Sequence, residues 1–208
     1  MTDGPNDPLL TGYHRFRQDR WPEARAEYEA LAEKGQKPHT LIIACSDSRA
    51  DPALIFDAAP GELFVVRNVA NLVPPYEPDG KLHGVSAALE FGVNVLKVQH
   101  VVVMGHASCG GVNAMRNGAP SNCQDFVAPW VAQGVPAVSA ALEGVPADEQ
   151  ETVAEEAVVR LSLDNLRTFP WIAEKEAAGE LRLSGLHFGI AAGLLTKLTG
   201  AKRFERLD

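Results

Sequence analysis

Short apolar runs rich in β-branched residues recur at Thr40–Cys45, Leu63–Arg67 and His100–Gly105, with segments of helical pattern between them. That alternation constrains this chain more than any other feature. Parallel strands buried on both faces read as near-continuous apolar runs, and parallel neighbours need crossover connections, so an α/β fold is expected. In open sheets of this class, ligands bind beyond the carboxyl ends of the strands. Two of the runs end there in reactive residues: Leu41-Ile42-Ile43-Ala44 stops at Cys45-Ser46-Asp47-Ser48-Arg49, and Val101-Val102-Val103-Met104 at Gly105-His106-Ala107-Ser108-Cys109-Gly110-Gly111.

Side chains two apart on an extended chain point the same way, so Cys45 and Asp47 can face one ion, with Arg49 on the same side if that geometry persists. The second strand end adds His106 and Cys109. Two thiols, an imidazole and a carboxylate form the ligand set of a zinc site. Zinc held by two thiolates and a neutral imidazole has a formal charge near zero, so a water in the fourth position should ionise at a higher pH than the ~7 of a three-imidazole site. If Asp47 takes that position instead, the site is closed. Arg49 competes for Asp47 through a two-bond fork, which makes the pair a gate. Cys109 in a first helical turn gains from the peptide dipoles, and Gly110-Gly111 leave backbone amides bare for a small anion or polarised oxygen.

The rest of the chain supports this centre. After a polar leader, Tyr13, Phe16, Arg17, Trp21, Ala24, Tyr28 and Leu31 recur at helical spacing, with Pro22 expected to split the segment into two helices. These read as an arm that packs on the body or reaches to a partner subunit. The arm is placed at residues 1–35 and the α/β catalytic domain at 36–208, a single domain overall. Asp51 and Pro52 predict a helix start, and the prolines between Asn71 and Gly80 a fixed loop. Helices are expected over Leu82–Leu96, from Ser108 as N-cap to about Met115, and from Glu149 to Thr168, where Pro170 closes or kinks the last. Short helices and loops fill 118–148. Leu181–Phe188 reads as a strand, Leu194–Leu198 as a strand or extended tail, and Lys202–Asp208 as a charged terminus. The expected sheet has about four strands, mostly parallel, plus an antiparallel edge strand, flanked by helices.

Composition excludes several classes of partner. With 27 acidic against 19 basic residues, the net charge of −8 has the wrong sign for capturing phosphate backbones or anionic lipid, so neither nucleic acid nor membrane is expected. No apolar run approaches the roughly 18 residues of a membrane span, and Met1–Pro5 lacks a secretory pattern. Three cysteines, two of them in the motifs, indicate reduced thiols and metal rather than disulfides, and a cytoplasmic setting. Cys123 reads as a bystander. His14, His39, His83, His100 and His187 read as packing or solvated residues, although His83, beside a glycine, could assist proton transfer.

Cys45-Ser46-Asp47-Ser48-Arg49, followed 57 residues after the arginine by His106-x-x-Cys109-Gly-Gly, resembles the β-class carbonic anhydrases in their plant-type branch. Pro60-Gly61-Glu62 and Phe64-Val65-Val66-Arg67-Asn68-Val69-Ala70-Asn71 extend the likeness, which runs from about Gly35 through Val112. The resemblance implies one Zn2+ per chain on Cys45, His106 and Cys109, with Asp47 as fourth ligand in a closed state only. Otherwise Asp47, paired with Arg49, accepts the proton of a zinc-bound hydroxide that hydrates carbon dioxide reversibly to bicarbonate and a proton. It further implies substrate contacts from Gln36 and the Gly110 amide, and an apolar wall of Phe64 and Val69 supplied partly by a neighbouring subunit. A homo-oligomer, dimer or dimer of dimers, is implied with it. Phe91 stands where plant-type members often carry tyrosine. The same scaffold could instead hydrolyse carbonyl sulfide or carbon disulfide, or serve as a non-catalytic zinc-binding or sensing protein; retention of both Asp47 and Arg49 disfavours the last.

One branch of that family holds the site closed through a bicarbonate pocket that resembles a tryptophan, a glycine and a tyrosine. Here these are Ile42, Ala44 and Phe188, which offer an anion no side-chain donor, so burying bicarbonate there would cost on the order of several kcal/mol. The expectation is Asp47 paired with Arg49 and no cooperative inhibition by bicarbonate.

Overall fold

The computed structural model describes residues 7–200 and 203–207; the polar leader before Asp7, with Ala201, Lys202 and Asp208, lies outside them. The described residues divide into two compact units, one ending at Lys37 and the other beginning at Pro38. In the first, helix α1 (Pro8–Arg15) passes through a π-helical turn (Phe16–Arg20) into α2 (Trp21–Lys34). The expected break at Pro22 is therefore absent. Proline in a first helical turn forfeits no hydrogen bond, and the wider π turn before it absorbs the change. Phe16, Trp21 and Tyr28 form a ring cluster with centroids 5.4–6.2 Å apart, and no residue of these segments is buried.

The second unit is a six-stranded sheet in the order β2-β1-β3-β4-β5-β6. Its members are β1 (Thr40–Cys45), β2 (Leu63–Asn68), β3 (His100–His106), β4 (Arg182–Gly189), β5 (Leu194–Thr199) and β6 (Arg203–Arg206). The first four are parallel, as expected, and the antiparallel edge has two strands rather than one. The segment read as a charged terminus forms β6, where Phe204 pairs with Leu198 and its ring lies under the Arg160 guanidinium.

Residue alternation sorts the strands onto two cores. Leu41, Ile43, Val101 and Val103 face one layer with Leu163, Phe169 and Ile172, while Ile42, Ala44, Val102, Met104 and Leu186 face the other. The helices are α3 (Pro52–Ile55), α4 (Gly84–Glu90) continuing through a π turn (Phe91–Val95), α5 (Gly110–Asn117), α6 (Val127–Ala132), α7 (Val135–Ala141), α8 (Gln150–Leu166) and α9 (Pro170–Ala177). Asp51 caps α3 by accepting from Ala53 N–H at 2.9 Å. Two expectations change. Ser108 is not an N-cap but sits at φ 57°, and Cys109 takes the cap position of α5. Pro170 opens α9 instead of merely closing α8, since proline suits a first turn as well as it stops an earlier helix.

Helix α8 braces the carboxyl edge of the sheet. It lies close against β3 and β4 because both strands present glycine to it: a Cβ on Gly105 would stand 2.8 Å from a Val159 methyl, and one on Gly185 2.8 Å from Val159 and 2.9 Å from Leu163. Its polar side chains hold the loop after β2. Ser162 Oγ donates to the Asn71 carbonyl at 3.0 Å and accepts from Val73 N–H at 3.2 Å, and Asn165 Nδ2 donates to the Val73 carbonyl at 2.7 Å.

Gly185→Ala should therefore overpack this seam and cost about 1–3 kcal/mol, lowering the thermal midpoint by roughly 2–12 °C for a chain of this size. Differential scanning calorimetry reads this directly, and an unchanged midpoint would contradict the close seating of α8.

Candidate metal centre

Adjacent strands β1 and β3 pair with Ala44 opposite Met104, so Cys45 and His106 emerge side by side at the carboxyl edge. Cys109 joins them from the start of α5. All three are buried, and their ligand atoms lie within 4.8 Å of one another, a group able to hold a metal ion. The sulfurs are 3.9 Å apart and form no disulfide. His106 donates Nδ1–H to the Ala107 carbonyl at 2.9 Å, which leaves the Nε2 lone pair directed inward, and that buried atom has no hydrogen-bond partner. A divalent cation fits this donor set: it removes the orphaned nitrogen and relieves two thiols crowded together. The pair loses a first proton readily, because hydrogen bonding from Cys109 draws Cys45 down, and resists losing a second, because that bond and burial push Cys109 up.

Asp47 lies just outside that group, with Oδ2 3.9 Å from His106 Nε2. Strand β1 ends at Cys45, and the Asp47 carbonyl accepts from Ala50 N–H at 3.1 Å, so Asp47 stands at the start of a turn and not on a continued strand. Arg49 holds it. The guanidinium donates from Nε to Oδ1 at 3.0 Å and from Nη2 to Oδ2 at 2.8 Å, and the Arg49 amide adds a 2.9 Å bond to Oδ1. Nη2 also donates to the Ser108 carbonyl at 3.2 Å, tying the two motif loops together.

Arg67 fixes the first loop from behind. Its guanidinium donates to the Cys45 carbonyl at 2.9 Å, the Asp47 carbonyl at 2.6 Å and Asp51 Oδ2 at 2.9 Å. Asn68 exchanges two 2.9 Å bonds with the backbone of Leu72 and so pins the 3-10 turn Val69–Asn71. Arg67 thus secures the loop that carries Cys45 and Asp47, and Asn68 the turn that follows β2.

The remaining expected site residues are dispersed. A side chain on Gly110 would meet nothing within 4 Å, so that face of the loop is open. Val69 is near, since a Cβ on Gly111 would touch it, and its carbonyl accepts from Trp130 Nε1 at 2.8 Å. Phe64 is not brought to the group within one chain. It pairs with Leu41, four residues before Cys45 and roughly 13 Å down the sheet, and packs on Phe91. Gln36 belongs to the first unit and is exposed. Ile42 and Ala44 are sealed in the apolar layer opposite Val102 and Met104, and Phe188 pairs with Leu195.

Two residues that no motif singles out also reach the centre. Glu155 of α8, buried, accepts from Cys109 N–H at 3.1 Å, and His187 of β4, also buried, lies 2.9 Å from the other Glu155 oxygen. The hint in the sequence is slight: Glu155 shares the helical face of Val158, Val159 and Ser162.

Residues 40–195 match the family model described as carbonic anhydrase. A Pseudomonas aeruginosa protein named carbonic anhydrase is 38% identical over 201 residues, spanning 94% of this chain and 88% of its own. The solved structure of the β-carbonic anhydrase CcaA is similar with a TM-score of 0.88 at 29% identity, over 96% of this chain and 91% of that one. A structure from the two tetrameric β-carbonic anhydrases of the ascomycete Sordaria macrospora is similar with a TM-score of 0.80 at 26% identity, over 92% and 95% of the respective chains.

Hydrogen bonds from Arg49 hold the Asp47 carboxyl well below the usual carboxylate range, against partial burial. With the folded value below the unfolded ~3.9, the stabilisation is present above that value and is lost only as pH falls through the folded one. Asp47 should thus stay ionised at every pH above about 4, and Arg49→Ala should raise its titration toward the ordinary range. Carboxyl-carbon NMR titration checks both; a wild-type Asp47 midpoint at about 4 or higher contradicts the fork.

Proposed function

Because the chain belongs to the carbonic anhydrase family, we propose that it hydrates carbon dioxide reversibly at a zinc ion held by Cys45, His106 and Cys109. The observation that carries this reading is the convergence of those three ligand atoms beside an Asp47–Arg49 fork. Zinc, when bound, supplies the Lewis acidity that lets water lose a proton far below its ordinary pKa.

The chain's own groups do the rest. Asp47, kept ionised by Arg49, accepts a hydrogen bond from the attacking oxygen and aims its free lone pair at the carbon. The Gly110 amide receives an oxygen of the developing bicarbonate. Val69 and Phe64 line an apolar approach that favours carbon dioxide over water. The proton passes to solvent or buffer.

Phe64 reaches no metal group of its own chain, so the wall is completed by a second copy, in a dimer or dimer of dimers. Exposed Val65, Phe91 and Val95 offer apolar area for that contact. Reduced thiols suit a cytoplasmic setting, and among the described residues no helix is long and apolar enough to cross a membrane. The sealed environment of Ile42 and Ala44 favours activity without cooperative inhibition by bicarbonate.

Purified protein should hold about one zinc per chain, and Cys109→Ser or His106→Ala should lose most of it, as expected when one of three strong donors is removed. Elemental analysis showing full occupancy in both would overturn the ligand set.

In stopped-flow assays, hydration should rise between about pH 7 and 9, since two thiolate donors place the critical ionisation above that of three imidazoles. Asp47→Asn and Arg49→Ala should each depress turnover, by roughly 10²–10⁴-fold if the group acts in proton handling, while much of the zinc remains. Full activity in both variants would remove the fork from the mechanism. Turnover of carbonyl sulfide alone, with none of carbon dioxide, would replace the substrate assignment.

A further inference from the structure

The Ser108 carbonyl and the Cys109 amide belong to one peptide bond, and charged side chains hold it at both ends. Arg49 Nη2 donates to the carbonyl at 3.2 Å, and Glu155 Oε1 accepts from the amide at 3.1 Å. A cation at the oxygen and a carboxylate at the hydrogen are the orientation a peptide dipole prefers. The residue before this bond needs such support: Ser108 has φ 57°, a left-handed conformation that a residue with a Cβ occupies only where its surroundings enforce it.

Glu155 is itself held on its far side. Its Oε2 lies 2.9 Å from His187 Nε2, and the carboxylate and imidazole are 2% and 6% exposed. Both carboxylate oxygens are therefore committed, one to a backbone amide of the metal loop and one to an imidazole on β4. A buried carboxylate is costly unless its oxygens are satisfied, so a single partner would not keep it there. Its reach to Cys109 depends on the close seating of α8 on Gly105 and Gly185.

We propose that Glu155 and His187 form a positioning dyad for the metal centre. They hold the Ser108–Cys109 peptide against the pull of Arg49, so that the Cys109 sulfur is pre-aimed at the ion. The inference rests on the reading of Cys109 as a zinc ligand. Neither residue touches substrate.

The test measures zinc affinity by chelator competition, together with the thiolate-to-metal charge-transfer bands of the cobalt-substituted protein. Glu155→Ala should weaken zinc binding about 10–100-fold and alter those bands, whereas Glu155→Gln, which keeps an oxygen for the Cys109 amide, should recover most of the loss. His187→Ala leaves Glu155 in place but frees its outer oxygen; it should weaken binding by a smaller factor, and it carries the test if Glu155→Ala does not fold. Leu166→Ala, at the far end of α8, should lower the thermal midpoint without moving zinc affinity or the bands. Wild-type affinity and unaltered bands in Glu155→Ala and His187→Ala would overturn the dyad, as would Glu155→Gln binding no better than Glu155→Ala. Absence of zinc binding in the wild type would instead overturn the ligand assignment, and the dyad with it.

Discussion

Everything at the candidate metal centre depends on the register of β1 against β3. With Ala44 opposite Met104, the first strand delivers Cys45 where the second delivers Gly105 and then His106. Side chains alternate faces along a strand, so a slip of one residue would turn Cys45 away from the site and drive its apolar neighbours into the wrong layer. The two cores guard against that slip: Ile43 and Val103 are fully buried on one side, Ala44 and Met104 on the other. The packing energy of the apolar side chains on both faces is thus what places the Cys45 thiol and the His106 imidazole within reach of each other.

The loops beyond the strand ends are fixed by charge as well as by packing. Arg67 grips the carbonyls of Cys45 and Asp47, Arg49 bridges Asp47 to Ser108, and Glu155 takes the amide of Cys109. Each guanidinium serves two or more acceptors, which a lysine ammonium, lacking the planar fork, could not reproduce in one geometry. The centre carries its cations at the rim, leaving the interior to sulfur and imidazole.

Much of this architecture is legible in the order of residues alone. Apolar runs mark β1 to β4 nearly to the residue, and the motif residues of the metal group are betrayed by their places at the ends of β1 and β3. What escapes does so for physical reasons. Glu155 stands beside Glu156, and the helical face it shares with Val158, Val159 and Ser162 is a slight signal that its contacts with His187 and Cys109 make definite. The strand Arg203–Arg206 carries three charged residues in four, so its pairing with β5 has no apolar signature. Pro22 and Pro170 are ambiguous because proline both ends one helix and begins another. Phe64 is marked by resemblance alone, and the single chain leaves it remote from the metal group.

The strand that carries Arg67 lies at the end of the sheet, bonded only to β1 among the described residues. Arg67, which grips the carbonyls of Cys45 and Asp47, therefore stands on a strand held from one side alone among the described residues. A shift of that strand would carry the guanidinium, and the two carbonyls it holds, with it.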